Sequence, residues 1–174
     1  MGDIILMSKQ IDSMSELIEE LRKGKSETVL LGQKAQQSKE FIMILVKNFY
    51  TNVELLRIGV VCEGHGLKTQ YEINESNEII IGFNKEVNLI SPNSSDKVLR
   101  RELDSLFYEF KIIKNLNMIL VVCETDIYCL NQRFEIVWNV FLDLIINHEI
   151  TDEYVKVITD EETRVYSILN GCII

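Results

Sequence analysis

Between residues 53 and 90 the chain runs through four short apolar stretches, each closed by turn-forming residues. That rhythm restricts the fold more than any other feature. Arg57-Ile58-Gly59-Val60-Val61-Cys62 is β-branched and apolar, and Gly64-His65-Gly66 follows as punctuation. Thr69, Tyr71 and Ile73 alternate with Gln70 and Glu72, the period of a half-buried strand. Asn74-Glu75-Ser76-Asn77 turns the chain into Ile79–Phe83, and Asn84-Lys85-Glu86 turns it into Val87–Ile90. Short turns between short strands describe an antiparallel meander, because parallel strands need a long crossover between them. Two further β-branched segments extend the pattern: Met118–Cys123, and a closing hairpin from Tyr154–Ile158 and Arg164–Leu169 around Asp160-Glu161-Glu162.

Around these strands, helical spacing predicts four helices. Ile11, Met14, Leu17, Ile18 and Leu21 recur at intervals of three and four, with Ser13 and Glu16 as a capping box and Gly24 as the stop. A second helix is expected from about Gln33 to Tyr50, burying Ser38, Phe41, Ile42, Leu45 and Phe49, with Val29-Leu30-Leu31 before it open to a strand or a helix. A third is expected from about Asp96 to Phe110, after the Ser91-Pro92-Asn93-Ser94-Ser95 loop. A fourth runs from an Asn131 cap to about Asn147. The reading is one α+β domain over residues 1–174. Residues 1–52 form an N-terminal part of two helices, and residues 53–174 form a mainly antiparallel sheet with helices packed on one face. Val60-Val61-Cys62-Glu63 recurs as Val121-Val122-Cys123-Glu124, which four residues explain as coincidence rather than repeat.

Charge narrows the function. The 18 basic and 27 acidic residues leave a net charge of −9, and adjacent basic residues occur only as the short pairs Arg22–Lys23 and Arg100–Arg101. Phosphate binding requires a Lys/Arg footprint, so nucleic acid and anionic membranes are not expected partners; a basic protein is. Four cysteines are too few and too irregular for a disulfide scaffold, and three sit in or at the end of apolar runs. The first residues lack the basic and apolar regions of a signal peptide, and no apolar run approaches the roughly 18 residues of a membrane span. The cytoplasm is the expected compartment.

Reactive groups are sparse. Cys62 and His65 are close in sequence, and a neighbouring imidazole can activate a thiolate, but adjacency in a glycine turn rarely gives the required hydrogen-bond geometry. Cys62, His65, Cys123 and Cys129 together form the one conceivable sulfur and nitrogen set for zinc, with Glu63 and Glu124 beside it. His148-Glu149 lacks the second histidine of a metalloprotease helix. The carboxylate pairs fall on polar surfaces and turns. No glycine-rich phosphate loop and no G-x-S-x-G elbow occurs.

Apolar side chains are abundant by contrast. The segments Phe41–Tyr50 and Phe134–Ile146 display more large side chains than one buried face needs. The expectation is therefore a non-catalytic protein-interaction module: an inhibitor, an immunity-type antagonist or an escort chaperone. It would act through an acidic surface and aromatic-rich helices, with Trp138, Phe141, Phe49 and Tyr50 as anchors for another protein or a second copy in a homodimer. No cofactor is expected. The alternative is a small Cys/His-dependent enzyme or zinc module centred on Cys62, His65 and Cys123.

Overall fold

The computed structural model describes residues 3–32, 39–92, 94 and 97–174. They form fifteen β-strands, one α-helix and one short 3-10 turn. The strands group into four antiparallel sheets in chain order. Sheet A holds β1 (Ile4–Ile11), β2 (Glu27–Leu31), β3 (Glu40–Asn48) and β4 (Glu54–Cys62), in the order β1-β3-β4-β2, with β2 alone parallel to its neighbour. Sheet B is the meander β5 (Gln70–Ile73), β6 (Ile79–Phe83), β7 (Glu86–Ile90) and β8 (Val98–Glu102). Sheet C is the meander β9 (Phe107–Ile113), β10 (Met118–Cys123), β11 (Asp126–Asn131) and β12 (Ile136–Phe141). Sheet D has three strands, β13 (Asn147–Ile150), β14 (Tyr154–Ile158) and β15 (Thr163–Ser167).

The sheets stack face to face, and the alternation of side chains along each strand shows it. On β6, Ile79, Ile81 and Phe83 pack with sheet A, while Ile80 packs with sheet C. On β10, Val121 and Cys123 face sheet B, while Leu120 and Val122 face sheet D. On β3, Ile44 and Val46 face sheet B, while Phe41 and Met43 lie under the helix α1 (Met14–Arg22). Three interlayer cores result, with a fourth beneath α1, and each inner strand is apolar on both faces.

That double burial overturns the α+β expectation. The structure is mostly strand, and of the four predicted helices only the first exists. Ser13 caps it as expected, accepting from the Glu16 backbone N–H at 3.2 Å. The predicted second helix is strand β3 where it is described; its start at residues 33–38, including Ser38, lies outside the described residues. The third becomes β8 and the start of β9, and Asp96, Asn93 and Ser95 also lie outside the described residues. The fourth becomes β12 and the turns on either side of it, ending where β13 begins at Asn147. A strand covered on both sides reads as an unbroken apolar run, and such a run imitates helical spacing. In β12 the β-branched and aromatic residues favour strand on their own account: Trp138 and Val140 pack against the core between sheets C and D, while Ile136, Val137 and Phe141 are exposed.

The expected strands over 57–62, 69–73, 79–83, 87–90, 118–123 and the closing hairpin are all present, within a residue or three at their ends. Val29-Leu30-Leu31 resolves as part of β2. The recurring Val-Val-Cys-Glu segments occupy different places: Val60–Cys62 closes the third strand across sheet A, and Val121–Cys123 closes the second across sheet C. They are not structural equivalents.

Candidate functional site

Cross-sheet bonds align the stack into two rims. Along one, the first strands face each other. Tyr71 on β5 donates to Ser8 Oγ on β1 at 2.6 Å, and Gln70 exchanges two 2.8 Å bonds with the Phe110 backbone on β9. On the same rim His148 Nε2 of β13 meets Glu109 Oε2 of β9 at 2.9 Å, and Lys111 pairs with Asp152 at 2.9 Å. Along the other rim run β2, β8, β12 and β15. Lys97 pairs with Glu27, Arg101 donates to the Phe134 carbonyl at 2.9 Å, and the Trp138 indole donates to the Ile168 carbonyl at 2.8 Å.

These rims are sheet edges, and an edge strand presents unpaired N–H and C=O groups that natural proteins protect with charge. Seven of the eight edge strands follow that rule: β1 carries Lys9, β2 Glu27, β5 Glu72, β8 Arg100, Arg101 and Glu102, β9 Glu109 and Lys111, β13 Glu149, and β15 Arg164. Strand β12, Ile136-Val137-Trp138-Asn139-Val140-Phe141, carries none. Ile136 and Val137 are exposed, and Phe141 is 65% exposed. The register shifts at Cys129/Leu130, so Val137 sits at a bulge in an otherwise regular ladder with β11. Among the described residues no strand pairs with the outer edge of β12.

The four predicted anchors do not form one patch. Trp138 is half-buried and packs with the core between sheets C and D. A Cβ on Gly171, whose φ is +69°, would lie 2.7 Å from its ring. Phe141 lies on the β12 edge. Phe49 and Tyr50 lie in the turn after β3, stacked edge-to-face at 5.2 Å and both exposed, with the Tyr50 hydroxyl 3.2 Å from Asp3. Sheet B separates that turn from β12. With the helices gone, the aromatic surface is carried by a turn and an edge strand.

The sulfur and nitrogen set is dispersed as well. Cys62 lies in the core between sheets A and B, Cys123 between B and C, and Cys129 between C and D. Cys62 Sγ is 3.0 Å from Thr69 Oγ1, whereas His65 Nε2 bonds Glu63 Oε2 at 2.9 Å, so the two do not pair. Burial pushes the Cys62 and Cys123 thiols up and the Cys129 thiol up to about 12, which holds all three protonated and non-nucleophilic. Glu124 follows β10 with its backbone N–H bonded to the Leu106 carbonyl. No group of three or more His, Cys, Asp or Glu able to hold a metal occurs among the described residues.

The fold is a stack of four small β-sheets in which two four-stranded meanders, sheets B and C, lie between sheets A and D. Its sequence matches no protein-family profile and no curated protein. Among solved structures, apo AztD from Citrobacter koseri superposes with a TM-score of 0.54 at 13% identity, over 84% of this chain and 45% of that one. A second Citrobacter koseri AztD structure gives 0.53 at 11% identity, over 86% and 45%. A Bacteroides caccae protein of unknown function gives 0.44 at 15% identity, over 78% and 61%. At such identities the AztD likeness concerns the fold alone, and this chain spans under half of the AztD length. Among the described residues no helix is long and apolar enough to cross a membrane.

Proposed function

We propose that this chain is a non-catalytic protein-interaction module whose contact edge is β12, to which a partner adds an extended segment. The observation carrying this reading is the contrast between β12, six residues without a charge, and the seven charged edges. A partner strand would take up the outward backbone groups of β12, and Phe141 and Val137 would supply apolar contact beside the new ladder. The net charge of −9 favours a basic partner approaching by electrostatic steering. A second copy is the homodimeric version of the same contact, since an uncharged strand pairs with itself without like-charge repulsion. Four unpaired cysteines suit a reducing compartment such as the cytoplasm.

The test places a photo-crosslinking residue at Val137 and, as control, at Leu99 on the charged edge β8. Expected is a specific adduct from 137 alone, with a basic protein or a second copy, weakening at high salt for the basic partner. Equal labelling from both positions, or none from either in a folded chain, contradicts the reading.

A further inference from the structure

A cavity of about 310 Å³ opens between β2 of sheet A and β7–β8 of sheet B, on the same rim as β12 but with sheet B between them. One wall is aliphatic: Val29 and Leu31 from β2, with Val98 from β8. The other carries three polar side chains. Asn88 is wholly buried on β7; its Nδ2 donates to Glu86 Oε1 at 3.3 Å, and its Oδ1 has no hydrogen-bond partner among the described residues. Glu86 is 4% exposed and its other oxygen pairs with Arg100. Arg100 sits across from Asn88 in the β7–β8 register, at the partly open mouth.

The position is built rather than left over. Gly32 closes β2 at φ +74°, where a Cβ would meet the Val61 carbonyl at 2.2 Å, and its backbone hydrogen-bonds the Glu86 carboxylate. Burial raises the Glu86 pKa while Arg100 opposes that shift. A buried amide oxygen left without a donor is unfavourable, and a ligand donor would satisfy it.

We propose that this cavity binds a free α-amino acid with an aliphatic side chain. The ammonium group would donate to Asn88 Oδ1 beside Glu86, and the carboxylate would take the remaining N–H groups of Arg100. The side chain would lie against Val29, Leu31 and Val98. A zwitterion matches the site because each of its charges meets an opposite one, the ammonium beside Glu86 and the carboxylate beside Arg100, which also pairs with Glu102 at 3.4 Å.

Calorimetry on the intact chain with L-leucine tests this, against leucinamide (no carboxylate), 4-methylpentanoate (no ammonium) and glycine (no side chain). Leucine is expected to bind, and each of the other three about 10-fold or more weaker, since each loses a charged hydrogen bond or the apolar contact. Asn88→Leu is expected to weaken leucine by about 10-fold and leave 4-methylpentanoate unchanged. Arg100→Gln, at the solvent-facing mouth, is expected to weaken leucine by about 10-fold without weakening leucinamide, and it serves if the buried substitution does not fold. No heat and no rise in melting temperature at about 10 mM leucine, or equal affinity for all four compounds, overturns the proposal.

Discussion

Gly82 lies beneath the ring of Phe107, so close that a Cβ at position 82 would stand 2.3 Å from the ring's Cζ. Gly82 is on β6 and Phe107 on β9, so this contact sets how near sheets B and C approach. Gly82→Ala is expected to destabilise the fold by roughly 2–3 kcal/mol through overpacking. Adding Phe107→Leu should make the double variant cost less than the sum of the two singles, as measured by urea unfolding in a double-mutant cycle. Simple additivity would mean that the ring yields freely and the contact sets nothing.

Trp138 does for sheets C and D what Phe107 does for B and C. Its indole donates to the Ile168 carbonyl at 2.8 Å, and Gly171 leaves room for the ring. Trp138→Phe keeps most of the packing and removes the donor. The expected cost is about 1–3 kcal/mol, because the carbonyl is left with only the weak Cys129 thiol contact at 3.9 Å. A variant as stable as the parent in urea would mean that water replaces the indole without loss.

Glu86 predicts a pH dependence. Its folded pKa is raised by burial above the ordinary value of 4.5. Between 4.5 and that raised value the folded chain keeps a proton that the unfolded chain has released, so this group's contribution to stability falls as pH rises through the window. Glu86→Gln removes that contribution. The stability difference, parent minus variant, is expected to be largest below pH 4.5 and to shrink as pH rises. A difference that grows with pH would show that the Arg100 pairing outweighs burial.

The cysteines give a quick check of the layered cores. Cys62, Cys123 and Cys129 are buried and protonated, and Cys172 is exposed. At about pH 8, a thiol reagent is expected to modify Cys172 rapidly and the other three only after unfolding. Rapid modification of Cys123 in the folded chain would contradict the packing of sheet B on sheet C.

Much of the strand pattern was legible because turn chemistry announced it: Asn74–Asn77 and Asn84–Glu86 mark the corners of sheet B, and Asn77 and Asn84 both adopt positive φ. The helical misreadings share one cause. Phe41–Val46 is apolar at consecutive positions because β3 is covered on two sides, and Ile136–Phe141 is broken only by Asn139 although Ile136, Val137 and Phe141 are exposed; neither the covering layers nor the bare edge shows in a local window. The β11 strand was missed for the same reason, since Ile127 and Cys129 face one core while Tyr128 and Leu130 face another. Of the candidate site, the signal was present and differently assigned: the segment Ile136–Phe141, lying between Glu135 and Asp143, holds no charge, which a helix reading turns into a greasy cylinder and a strand reading into a bare edge. The cavity at Asn88 had no sequence signal, because it depends on β2 coming beside β8 from some seventy residues away.

The central claim is that β12 is left bare for pairing, and a charge on it reports most directly. Val137→Lys sits at an exposed bulge, so its stability is expected to stay within about 0.5 kcal/mol of the parent. Light scattering of the pure chain, together with quantitative recovery of the species crosslinked through position 137, should then show assembly lost or at least 10-fold weakened in the variant. Unchanged mass and unchanged recovery in the folded Lys variant would contradict the account.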